Sequence, residues 1–281
     1  MATPFEELVE TVHRLRAPGG CPWDREQTHQ SLRPYLIEEA YEVLDVLDKV
    51  ESTASLKDAK IREPLREELG DLLMQVVLHS EMTREAGAFD IHDVAKGLNE
   101  KLIRRHPHVF GEQKAADADA AYASWEKQKA KEKAKNPEAS VLDGLPKGLP
   151  ALQKTARLIE KVTRVGFQWD SLDVPLQKID EELAEVRHEV RALEAAKTDD
   201  EREKLRERVT DELGDLLFTV ANVAFLLKIE PEAALRGTLA KFERRFRHVE
   251  RSIKATGRTL EQSNLEEMDR YWEEAKAIER R

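Results

Sequence analysis

The chain has 281 residues, a length suited to about two domains, and its 46 lysines and arginines against 56 aspartates and glutamates leave a net charge of −10. That acidity argues against a general nucleic-acid binder held by phosphate contacts, so an anionic substrate would need a local metal or basic cluster. The single cysteine, Cys21, excludes an intrachain disulfide; with no leader-like N-terminus and no run of eighteen apolar residues, a cytoplasmic protein without a membrane partner is expected.

Apolar residues recur at three- and four-residue spacing and strand-like alternation is almost absent, so the expected fold is all-α. Helices are expected over 4–16, 32–50, 61–87, 90–110 and 117–135, with breaks at glycines and prolines. The turn-rich stretch "NPEASVLDGLPKGLP" lacks helical period and reads as a connector, 136–150, between domains spanning 1–135 and 151–281. Helices are expected to resume over 151–166, 174–196, 200–228, 231–257 and 264–280.

The second set of helices repeats the first. "PWD" ending at Asp24 matches "QWD" ending at Asp170, "EEAYE" at Glu38 to Glu42 matches "EELAE" at Glu181 to Glu185, and "EELGDLL" from Glu67 matches "DELGDLL" from Asp211. Lys101 and Arg105 then match Lys241 and Arg245, and "WEKQK" from Trp125 matches "WEEAK" from Trp272. Landmarks in one order point to an internal duplication.

Residues three apart share a helix face, so Glu39 pairs with Glu42 and Glu68 with Asp71; in the second copy Glu182 pairs with Glu185 and Glu212 with Asp215. If the two helices of a copy pack antiparallel, four carboxylates converge, repelling by roughly 4 kcal/mol per pair at 4 Å and an effective dielectric of 20. A bound cation removes that penalty. Oxygen-only ligands suit Mg²⁺ first, with Mn²⁺ as substitute, ahead of Ca²⁺. "EEAYE" alone is an ordinary solvated pattern, but Asp71 lies in "LGDLLMQVVL", which reads as a buried helix where an unpaired acid is rare. A salt bridge to arginine is the plainer explanation, and repetition of the whole acid set favours metal.

Other readings fit less well. A di-iron bundle needs Glu-x-x-His from two helices; Glu185 and His188 have that spacing, but their counterparts Glu42 and Asp45 do not, and Glu10 with His13 and Glu26 with His29 lie outside the acid set. A helical scaffold without catalysis has no need for matched acids with Lys and Arg. No P-loop pattern is present. Trp23 and Trp169 are expected to pack on the bundle while Asp24 and Asp170 cap following helices. "RRHPHVF" from Arg104 reads as a helix end, and "KQKAKEKAK" as a solvated helix.

With "GGCPWDREQTH", "IEEAYEV", "EELGDLLMQVVLHSEM", "KLIRRHPHVFG", "KFERRF" and the terminal Trp-x-x-x-Lys, the chain resembles, over nearly its full length, the MazG nucleoside triphosphate pyrophosphohydrolases. The resemblance implies Mg²⁺-dependent hydrolysis of NTPs and dNTPs to monophosphate and pyrophosphate by a homodimer of tandem all-α domains, in a house-cleaning role. It implies metal at Glu182, Glu185, Glu212 and Asp215, with Glu181 orienting or deprotonating water or helping to hold a further ion, Lys241, Arg245 and Lys276 on the triphosphate, and Trp272 at the base. One departure is Phe225, where many members carry arginine. The second copy is expected to be the main catalytic one. Lys178 and Arg208 stand one turn before Glu182 and Glu212, whereas the first copy has Tyr35 and Pro64 there, and Arg33 and Arg66 lie at other angles. An apolar face including Leu72, Leu73, Val76 and Val77 is expected to be covered by a second subunit.

Overall fold

The computed structural model describes residues 2–50, 52–133 and 140–280. Among them there is no β-strand, and the chain forms two compact units, Met1–Ala139 and Ser140–Arg281. The start of the expected connector, 136–139, lies outside the described residues, and 140–150 is made of turns and extended backbone.

In the first unit, α1 (Pro4–Arg16) opens on a capping box in which Thr3 and Glu6 satisfy each other's backbone N–H groups. A short α2 (Pro22–Glu26) leads to α3 (Arg33–Leu47), and a 3₁₀ turn (Thr53–Lys57) leads to the long α4 (Ala59–Glu85). Then follow α5 (Ile91–Arg105), capped by Asp90, α6 (Pro107–Phe110) and α7 (Ala118–Lys133). The helix expected over 90–110 is broken at His106, because Pro107 cannot continue the backbone ladder and starts a new turn. Helices α3 and α4 form an antiparallel pair, with α1 and α5 also against α4. Val12, Leu32, Val77, Leu78, Met82 and Ile91 make the core.

The second unit repeats this plan with α8 (Ala151–Thr163), α9 (Asp173–Ala195), α10 (Asp199–Leu226), α11 (Pro231–Ala255) and α12 (Leu265–Glu279). Thr198 caps α10 and Asn264 caps α12. Helix α10 packs on α9 and α8, and α11 on α12. No described helix is long and apolar enough to cross a membrane.

Three local expectations are corrected. Trp23 is 54% exposed and meets Tyr35 edge-on at 6.3 Å, and Trp169 is also exposed. Asp24 lies inside α2 and Asp170 precedes a helix capped by Leu172 without a side-chain bond, so neither acid caps the next helix. Val77 is only 1% exposed and belongs to the core, whereas Leu73 and Val76 are exposed as expected.

Candidate metal and nucleotide site

The helix pair of each unit brings its acids together. In the second unit, carboxylate oxygens of Glu182 and Glu185 on α9 and Glu212 on α10 lie within 4.8 Å of one another; in the first, those of Glu39 and Glu42 on α3 and Glu68 on α4 do the same. Asp71 and Asp215 stand one helical turn further along, outside these groups of three. Asp71 is still near enough for its charge to act on Glu39 and Glu68. The expectation of a fully buried LGDLL segment is not met: Asp71 is half-buried and Asp215 exposed, because Leu69, Leu73, Leu213 and Leu217 face outward along the same stretch.

In both clusters the carboxylates repel one another. Burial, then the charges of Asp71 and Glu42, raise the Glu39 carboxyl above its ordinary value, and burial with Glu42 raises Glu68. Burial, a hydrogen bond that the protonated Glu185 donates to Glu182, and the charges of Glu182 and Glu212 raise the Glu185 carboxyl above its ordinary value. Oxygen-only donors that repel one another at this range fit a hard divalent cation such as Mg²⁺ or Mn²⁺.

Most of the expected substrate-binding groups are engaged within the protein. Lys178 Nζ lies 2.8 Å from Glu181 Oε1 and 2.9 Å from Glu182 Oε1, and these bonds raise its pKa. Arg208 is not on Glu212 but 4.0 Å from Glu189. Arg245 binds Glu279 at 2.7 Å, Lys276 binds Glu273 at 2.6 Å, and Lys241 is exposed. Trp272 is half-buried, with its ring centre 5.0 Å from that of Phe242 and the Arg245 guanidinium 5.7 Å away. The first unit has the same corner: Arg104 and Arg105 bind Glu132, and Lys129 and Arg105 lie over Trp125. Those hydrogen bonds hold the Glu132 carboxyl down at about 2.

Two groups escaped the motif reading. His29 and His79 stack with Nδ1 atoms 2.8 Å apart, and burial and His29 lower the His79 pKa. Glu81, 5% exposed, accepts from Arg84 and contacts His13 Nδ1 at 2.8 Å. Phe225 occupies the position in α10 that Glu81 has in α4, and it lines an apolar crevice with Ala156, Leu226 and Ile229. Ten positions beyond Asp215, it lies about 15 Å along the helix from the carboxylates.

The MazG nucleotide pyrophosphohydrolase domain matches this chain twice, over residues 27–110 and 172–250. The chain is 43% identical over 272 residues to the nucleoside triphosphate pyrophosphohydrolase/pyrophosphatase MazG of Thermotoga maritima, covering 97% of this chain and 95% of that one. It is 39% identical over 276 residues to the nucleoside triphosphate pyrophosphohydrolase of Escherichia coli K12, covering 98% of each. It is also 43% identical to the uncharacterised protein YabN of Bacillus subtilis, spanning 99% of this chain and 52% of that one. Both carboxylate clusters fall inside the matched segments, and the chain belongs to the MazG nucleotide pyrophosphohydrolase family.

Proposed function

We propose that the chain is a Mg²⁺-dependent nucleoside triphosphate pyrophosphohydrolase that converts an NTP or dNTP and water to the monophosphate and pyrophosphate. The observation that carries the metal dependence is the convergence of Glu182, Glu185 and Glu212 to within 4.8 Å on the packed pair α9 and α10, with Glu182 buried. Mg²⁺ held by these residues and Asp215 would neutralise triphosphate charge and polarise the α-phosphate. In the reaction the water oxygen bonds to the α-phosphorus, the α–β bridge breaks, and pyrophosphate leaves with the bonding electrons.

The side chains supply the rest. Glu181 is exposed beside the cluster, where it can orient the water and take its proton once Lys178 has released it. Lys178, Lys241, Arg245 and Lys276 bind the triphosphate, Arg208 adds positive potential on α10, and Trp272 borders the base. Arg245 and Lys276 exchange Glu279 and Glu273 for phosphate oxygens on binding. A cytoplasmic homodimer that cleans the nucleotide pool, with no nucleic-acid partner, completes the proposal.

The test is pyrophosphate release from a mixed NTP and dNTP pool with and without Mg²⁺. Metal-dependent pyrophosphate is expected. Orthophosphate alone would make the protein a phosphatase, and absence of metal-dependent product would overturn the metal reading.

A further inference from the structure

The two clusters differ in what already sits on them. Glu182 is 5% exposed, and a buried carboxylate without a positive partner is costly. Lys178, one turn earlier on α9, meets that need by bridging Glu181 and Glu182. In the first unit the equivalent position is Tyr35, whose ring turns to Trp23. Among the described residues no lysine or arginine pairs with Glu39, Glu42 or Glu68.

We propose that Lys178 is the resident counter-cation of the second cluster and a positioning residue for the triphosphate: it holds Glu182 while divalent metal is absent and leaves it when metal loads. The proposal rests on the metal reading above. Its physical basis is that one carboxylate cannot keep a lysine at 2.9 Å and also serve a divalent ion without charge crowding among cations. The freed ammonium stays within one helical turn of the cluster, where a metal-bound triphosphate would present oxygens. Lys178 therefore couples the two ligands. It weakens metal binding in the absence of nucleotide and strengthens nucleotide binding once metal is in place, and linkage requires each ligand to favour the other. The first unit, with Tyr35, has no such coupling.

The test uses the full chain with Glu39→Gln and Glu68→Gln, so that the second cluster dominates, and follows free Mn²⁺ by electron paramagnetic resonance without nucleotide. Lys178→Met is expected to tighten Mn²⁺ binding about tenfold. Arg206→Met, which removes a charge paired with Glu203 elsewhere on α10, should leave it unchanged. With Mn²⁺ saturating, a non-hydrolysable triphosphate analogue should bind Lys178→Met more weakly, and the mutual enhancement between Mn²⁺ and analogue should shrink. Lys178→Gln gives the same readout with a polar end retained, and circular dichroism checks folding of both. Mn²⁺ binding that is unchanged or weaker in both Lys178 variants overturns the proposal alone. No Mn²⁺ binding by any of the proteins at millimolar concentration overturns the proposal and the metal reading together.

Discussion

In the proposed metal site, Glu185 is the side chain at which proton and metal would compete. Its carboxyl is raised by burial and by Glu182 and Glu212, so protons compete with a cation at pH values where an isolated glutamate is already ionised. The acidic limb of the activity profile should therefore move to lower pH as Mg²⁺ is increased. Rate profiles at two Mg²⁺ concentrations check this, and a stationary limb would remove Glu185 from the ligand set. Glu39 makes the corresponding stability statement. Its folded pKa lies above the unfolded one, so the folded state holds more protons between the two values and stability falls as pH rises through that window. In chelator at neutral pH, Glu39→Gln should raise the melting midpoint by about 2–4 °C. The gain should vanish below the ordinary carboxylate range, where wild type is protonated in both states. Excess Mg²⁺ should reverse the order, since the variant has lost a proposed ligand.

Single helices show what was legible in the sequence. The long helices α4 and α10 are written plainly in three- and four-residue spacing, whereas α2, at five residues, is too short to display a period. The acids of the site were legible for the same reason: residues three apart must share a face, whatever the tertiary fold. Exposure of the LGDLL segment was not, because it depends on which side of the helix the rest of the chain covers. Nor was the brace between α1 and α4, since Glu81 and His13 are 68 positions apart and no local pattern joins them. That brace carries its own prediction. The buried Glu81 carboxylate is held below its ordinary pKa, first by hydrogen bonds from Arg84 and then by His13. Its contribution to stability is therefore present above the unfolded pKa and is lost as pH falls through the depressed folded value. Glu81→Gln should lower unfolding free energy by roughly 1.5–3 kcal/mol at pH 7, the range for hydrogen bonds to charged groups. Urea titrations at neutral and strongly acidic pH should show the difference disappearing in acid. A difference of the same size in acid would assign the effect to packing.

At the scale of the whole molecule, the duplication has kept the acids in both copies and changed what surrounds them. Leu73, Val76, Leu217 and Phe218 are exposed on the long helices, which is the basis for expecting a homodimer. Sedimentation at micromolar concentration should give twice the chain mass of 32.2 kDa, and a monomer would contradict it. Function should nevertheless fall unequally on the copies. The second cluster has a buried Glu182 with Lys178 bonded to it, so a proposed metal-ligating carboxylate and an ammonium placed to meet phosphate stand within one turn of each other. In the first cluster, Tyr35 replaces that lysine and Arg66 pairs with Glu63, leaving a metal site with less to hold a triphosphate carrying about four negative charges. Loss of the metal-bound charge should cost more than 100-fold where chemistry occurs, on the scale of removing one transition-state electrostatic contact. Glu182→Gln with Glu185→Gln should therefore abolish pyrophosphate release at saturating Mg²⁺. Glu39→Gln with Glu42→Gln should leave it within a few-fold of wild type and lower only the total divalent-ion stoichiometry. Activity lost in the first-copy variant and kept in the second-copy variant, with the same oligomeric state in both, would reverse the assignment and make the Tyr35 site the working one.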